Sequence, residues 1–291
     1  MRAEVVLLVS FTAFIPASLT VAADAGPAAP TRFASSRPGE IVVPATVGAL
    51  GPFRFLLDTG STHTAVTDRL ATAVDAVPVA RTVMRAAAGS VECLVVALPT
   101  VVVDGVSADG LTATALPQTA VAALGPGVDG VLGQDFLSRF TFTIDYRRSQ
   151  IVWHDADYVA PGTRLTLVPA QDRWLVELPQ PATSSGGPAT LRRFVPDSGA
   201  DTLVLFGERR AGCLITAWRR GTSALGSLTG ERAVRTATVD GLRVGEATLD
   251  GQIAAVVPSN GPDDPDGLLP LHLFASVFFS ARSRALVIEA R

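Results

Sequence analysis

One stretch of this chain occurs twice. Phe55-Leu56-Leu57-Asp58-Thr59-Gly60-Ser61 returns 139 residues later as Phe194-Val195-Pro196-Asp197-Ser198-Gly199-Ala200. Val103-Asp104-Gly105 matches Val239-Asp240-Gly241 at an offset of 136, and Asp129-Gly130-Val131-Leu132 matches Asp266-Gly267-Leu268-Leu269 at 137. In each half the last Asp-Gly is followed by an apolar segment, a short polar turn and a closing strand, Phe136 to Trp153 and then Leu273 to Ile288. Landmarks in one order at nearly constant spacing mean a duplicated unit. We therefore expect an N-terminal lobe over 39–157 and a C-terminal lobe over 158–291.

Within each half, short apolar or alternating runs are separated by Gly, Pro, Asp and Asn, the pattern of an all-β fold. Leu94 to Val103 and Thr236 to Val244 read as strands, with Asp104-Gly105 and Asp240-Gly241 as turns. Helix signals are short: Thr64 to Val74, Gln134 to Ser138, and His272 to Ser276 in the place matching the second. The expected architecture is two homologous, mostly antiparallel β lobes with short helices, related by a pseudo-twofold axis with a cleft between them.

Composition narrows the chemistry. All 24 basic residues are arginine, so the chain has no lysine for a Schiff base or for a nucleotide phosphate. The three histidines, His63, His154 and His272, are far apart and lack zinc-site spacing, so no metal is expected and all three read as structural. A net charge of -3 with scattered arginines disfavours nucleic acid as a partner. What remains is carboxylate, hydroxyl and glycine, and no cofactor is called for.

At the amino terminus, Arg2 precedes an apolar run from Val5 to Leu19, and small residues follow at Val21, Ala22 and Ala23. That is the layout of a signal peptide over 1–23, which implies an exported protein, periplasmic or secreted. An uncleaved anchor is the alternative, and the only route to a membrane. Residues 24–38, rich in Ala, Pro and Ser, read as a disordered lead-in. Export makes Cys93 and Cys213 candidates for a disulfide, and two free thiols fit equally well.

Hydrophobic-hydrophobic-Asp-Thr-Gly-Ser at Leu56 to Ser61, with Asp-Gly-hydrophobic-hydrophobic-Gly downstream at Asp129 to Gly133, resembles the aspartic protease pattern of pepsin-like and retropepsin-like enzymes. The second half repeats it at Asp197-Ser198-Gly199-Ala200 and Asp266 to Leu269, so the resemblance spans nearly the whole chain after its amino-terminal segments. It implies an aspartic endopeptidase with Asp58 and Asp197 as the catalytic pair, acting on a peptide or an unfolded protein, and a monomer. The chemistry is consistent: two adjacent carboxylates cannot both ionise cheaply, so they share a proton, one acting as base toward water and the other as acid toward the carbonyl.

By the same resemblance, Gly60 and Gly199 let the loops turn and present N–H groups to the carboxylates, while Thr59 and Ser198 bond across to the opposite lobe. Ser61 matches a position whose hydroxyl bonds the adjacent carboxylate, and Ala200 cannot do so, which predicts a less acidic working range. Glycines near the tips of covering hairpins are expected at Gly89, beside Ser90, and at Gly226 or Gly230. Tyr146 and Tyr158 are the only tyrosines and neither is near residue 89, which favours the retropepsin-like side of the family. Pro196 and Pro270, the latter in place of Gly133, predict different packing behind Asp197. The competing reading is a catalytically inactive envelope module that holds an extended peptide in the cleft.

Overall fold

A computed structural model of the chain describes residues 4–5, 30–86, 89–117, 120–121, 124–170, 173–181, 189–228, 230–259, 261 and 264–291. The expected signal segment lies outside the described residues except for Glu4–Val5, which runs parallel to Leu225 and Gly226. The chain is all-β in two lobes. The first is built on a nine-stranded sheet, and the strands of the second continue into a sheet that both lobes share.

The first lobe is organised around Leu50–Leu57, whose last residues, Phe55, Leu56 and Leu57, are all buried. This strand lies antiparallel to Val42–Val47 and parallel to Gly130–Leu132, with Phe55 opposite Gly130 and Leu57 opposite Leu132. Gly130–Leu132 also pairs antiparallel with Ala65–Thr67, so the loop after Leu57 leaves and returns on the two sides of one short strand. The crossing is tight enough to require glycine: a Cβ on Gly130 would sit 2.6 Å from the Ala65 carbonyl oxygen.

The second lobe repeats this plan. Thr190–Asp197 runs antiparallel to Arg173–Gln180 and parallel to Gly267–Pro270, which pairs antiparallel with Leu203–Phe206. Gly267 meets the same constraint against the Val204 carbonyl. Asp129 and Asp266 pin these crossings. Asp129 accepts from the Arg54 backbone N–H at 2.9 Å and pairs with Arg69, while Asp266 accepts from the Arg193 N–H at 2.8 Å and pairs with Arg192 at 3.1 Å. Both carboxylates are committed to holding strands.

Each lobe ends in a hairpin, Thr141–Asp145 with Gln150–His154 and Ser276–Ser280 with Ala285–Glu289. The two hairpins pair with each other antiparallel, Thr141 opposite Ser280 and Thr143 opposite Phe278, and so join the lobes through one sheet. Phe142 stacks on Phe279 across this seam at 5.3 Å, and the largest apolar cluster runs through both lobes.

Three features differ from the sequence expectation. The helix expected from Thr64 starts only at Asp68, because Ala65–Thr67 is held as a strand between Thr112–Leu116 and Gly130–Leu132; Thr67 then caps Asp68–Ala73 by accepting from the Leu70 N–H. Asp104-Gly105 turns a hairpin between Val101–Val103 and Val106–Ala108, whereas Asp240-Gly241 precedes the corresponding hairpin, Leu242–Val244 with Ala247–Leu249. That sequence match is not a structural one. Part of the expected disordered lead-in has structure: Thr31–Arg32 pairs with Gln150 and Ile151, and Thr31 and Phe33 are buried. Cys93 and Cys213 form no disulfide, which is one of the two states the sequence left open.

Candidate active site

The two repeated loops meet at the centre of the molecule, and their contacts are reciprocal. The Thr59 hydroxyl donates to the Pro196 carbonyl at 2.8 Å and accepts from the Ser198 N–H at 3.0 Å. The Ser198 hydroxyl donates to the Leu57 carbonyl at 2.8 Å and accepts from the Thr59 N–H at 2.9 Å. Each hydroxyl thus ties the opposite loop by one donated and one accepted bond, and all four backbone groups are satisfied in a buried setting.

This lock brings the carboxyl groups of Asp58 and Asp197 side by side, with both residues 0 % exposed. Asp58 Oδ1 accepts from the N–H groups of Gly60 at 2.8 Å and Ser61 at 3.1 Å. Asp197 Oδ1 accepts from Gly199 at 2.8 Å and Ala200 at 2.9 Å. The two Oδ2 atoms have no hydrogen-bond donor among the described residues. Each carboxyl lies over the glycine of the other loop: a Cβ on Gly60 would come 2.4 Å from Asp197 Cγ, and one on Gly199 would come 2.6 Å from Asp58 Cγ. Any side chain there would drive the pair apart.

Burial pushes the Asp58 carboxyl well above its usual range, and the neighbouring Asp197 charge adds to this. Burial likewise raises Asp197 to about 6 against the opposing pull of its backbone donors. Two raised carboxyls in contact titrate as one unit with a shared proton.

Ser61 departs from its expected role. Its hydroxyl donates to the His63 carbonyl at 2.9 Å and not to Asp58. Ala200 and Ser61 are therefore equivalent toward their aspartates, each contributing only an N–H. The prolines have the local effects expected of them. Leu57 donates its N–H to Ile41 at 2.9 Å, and Pro196, in the matching place, has none to give, so pairing with Arg173–Gln180 stops at Phe194. The parallel pairing on the other side still runs through Asp197 opposite Pro270.

Residues that the sequence did not single out complete the support. The Gln134 amide donates to the Thr59 carbonyl at 2.7 Å, and its oxygen accepts from Ser138, which in turn accepts from the Trp174 indole. Asp135 accepts from the N–H of Thr64 at 2.9 Å and from its hydroxyl at 2.7 Å. In the second lobe His272 occupies the place of Asp135 and lies against Gly39. The repeat's own alignment of Asp135 with His272, unlike in charge, was the one available signal.

Two long hairpins flank the cleft. Val77–Ala86 pairs with Gly89–Ala97 up to Ala86 opposite Gly89, so Gly89 and Ser90 begin the returning strand; Ala87 and Ala88, at the turn, lie outside the described residues. Ile215–Ser227 pairs with Gly230–Val239 up to Ser227 opposite Gly230, which places both Gly226 and Gly230 beside the second tip. A small open pocket beside Asp58 is lined by Arg37, Glu40, Ile41, Leu57, Gly199 and Asp201 among others. No group of His, Cys, Asp and Glu among the described residues could hold a metal ion.

No curated protein matches the chain. Residues 43–136, which carry the Asp58 loop, the first hairpin and the Asp129 to Phe136 support, match the family model of aspartyl proteases, and this supports a protease of the aspartic type.

Proposed function

We propose that the chain is an exported aspartic endopeptidase that hydrolyses peptide bonds in extended peptide or unfolded protein substrates, with Asp58 and Asp197 as its catalytic pair. The observation that carries this reading is the contact between two fully buried carboxyls, each anchored through Oδ1 by two N–H groups and each with Oδ2 uncommitted. Such a pair holds one proton. The ionised carboxylate takes a proton from water as the water oxygen bonds to the scissile carbonyl carbon, and the protonated partner donates to the carbonyl oxygen. Collapse of the tetrahedral intermediate breaks the C–N bond, and the leaving nitrogen receives a proton. The pair returns to its singly protonated state, so neither metal nor cofactor enters the balance.

The backbone donors fix each Oδ1, so the Oδ2 atoms are the ones directed at water and substrate. With no hydroxyl bound to either carboxyl, the acid form persists to higher pH than it would with an added donor, and activity is expected in the weakly acidic range. Export rests on the layout of residues 1–23 and belongs to the same proposal.

Cleavage of an unfolded protein substrate tests the reading. Asp58→Ala and Asp197→Ala should each lose activity by about a hundredfold or more, and a statine-type mimic should block the wild type. Equal residual activity in the wild type and Asp58→Ala would leave only the peptide-binding module.

A further inference from the structure

The second hairpin ends on a residue out of character for a turn at the edge of a β lobe. Ser227 pairs with Gly230, which puts Leu228 in the turn itself, where a side chain ordinarily faces water. Leu228 is 1 % exposed. It is packed into an apolar cluster whose other buried members all come from the first lobe, among them Leu56, Met84, Leu116, Ala120, Leu124 and Val128. Leu56 is two residues before Asp58 on the same strand, and Met84 stands on the first hairpin. The tip therefore reaches across the cleft and seats in the opposite lobe beside the catalytic loop. Below it both aspartates are fully buried.

We propose that Leu228 is a latch occupying a substrate side-chain subsite. In the resting protein it holds the second hairpin closed, and an extended peptide must displace it by placing a leucine-sized aliphatic side chain in the same seat. The seat is made of aliphatic side chains, the Met84 thioether and the Cys93 thiol. It would leave a charged side chain without a partner, and its size is set by the leucine already in it. The hairpin is also built to move as a unit. Its pairing slips between Trp218 and Thr222, and Gly221 there has φ +83° with no atom near enough to crowd a Cβ. Below this break, Arg235 stacks on Trp218 at 3.7 Å and pairs with Glu208 at 3.0 Å, which anchors the base.

This inference gives the substrate class and control of the site proposed above and rests on that reading, yet it can be tested without turnover. Peptide binding to an Asp58→Asn chain would be measured by calorimetry, with a leucine-bearing peptide and its aspartate-substituted twin. A seat occupied by the chain's own residue lowers apparent affinity by the fraction of molecules that are open. Adding Leu228→Ala should therefore tighten the leucine peptide about fivefold or more, with the aspartate peptide remaining the weaker ligand of both chains. Leu228→Met, which refills the seat, should restore the original affinity. Amide exchange at Leu225 to Ser227 and Gly230 to Arg232 should quicken about tenfold in Leu228→Ala. Unchanged or weaker leucine-peptide binding in Leu228→Ala would overturn the latch. If the wild-type chain cleaves nothing while the affinity change holds, the latch stands and the protease reading falls.

Discussion

Asp58 and Asp197 place two buried carboxyls against one another, at a cost to stability that depends on pH. Burial raises both carboxyls, and the neighbouring Asp197 charge raises Asp58 further, so the folded chain binds protons more tightly there than the unfolded chain does. The sign follows from linkage: the contribution of such groups to stability is fully present below the unfolded carboxylate value of about 4 and is lost as pH rises through the folded values. Wild-type stability from this source should thus fall between about pH 4 and beyond the value of about 6 at Asp197. Asp58→Asn removes the charge but keeps the shape. We predict that it is more stable than the wild type at pH 7, by on the order of 1 kcal/mol or more, with the difference vanishing toward pH 4. Urea unfolding at a series of pH values measures this, and a constant difference across the range would contradict the shared proton. That these two carboxyls would face one another was legible because seven consecutive positions occur twice. The partner of the Ser61 hydroxyl was not, since residue type says that a donor exists and not which of the nearby acceptors it meets.

Elements were read correctly where the signal was local. The apolar runs, the closing hairpins and the short helix at Gln134–Leu137 follow from residue type and spacing. The misreading of Thr64 to Val74 as one helix shows the limit: alanine and threonine suit either state, and the choice was made by strands 112–116 and 130–132 closing on both sides. Asp240-Gly241 failed for a related reason, since a turn dipeptide marks a turn without saying which pair of strands it joins. The support from Gln134 was out of reach because its partner, Thr59, lies 75 residues away. That helix holds the Thr59 loop through one amide, so its contribution can be isolated. Gln134→Leu, which copies the second-lobe residue Leu271, leaves the buried Thr59 carbonyl unpaired and frees the loop to shift. We expect kcat for peptide cleavage to fall about tenfold to a hundredfold with KM little changed, while Gln134→Glu, which keeps an acceptor for Ser138 but loses the donor, should fall comparably. An equal rise in KM would place the effect in substrate binding instead.

At the scale of the molecule, the site exists only because two lobes hold a fixed distance. The hydroxyl lock at Thr59 and Ser198 is small, and the larger constraint is the sheet formed by the closing hairpins. Each hairpin was foreseeable from its own half; that they pair with one another across 139 residues, Thr141 beside Ser280, is written in no local pattern. The aromatic seam gives this sheet its cohesion. Phe142 and Phe279 are both fully buried, stacked at 5.3 Å, and Phe142 also packs on Trp153 at 5.5 Å. Phe142→Ala opens a cavity where strands of both lobes meet and should cost about 3–5 kcal/mol. Because the apolar cluster runs through both lobes without a break, the loss cannot be confined to the first. Unfolding in urea followed through Trp174 of the second lobe and through amide exchange in Val42–Val47 of the first should shift together, as one transition at a lower midpoint. If the second lobe kept its midpoint while the first unfolded early, the seam would be a contact between independent domains, and the dyad would then depend on the hydroxyl lock alone.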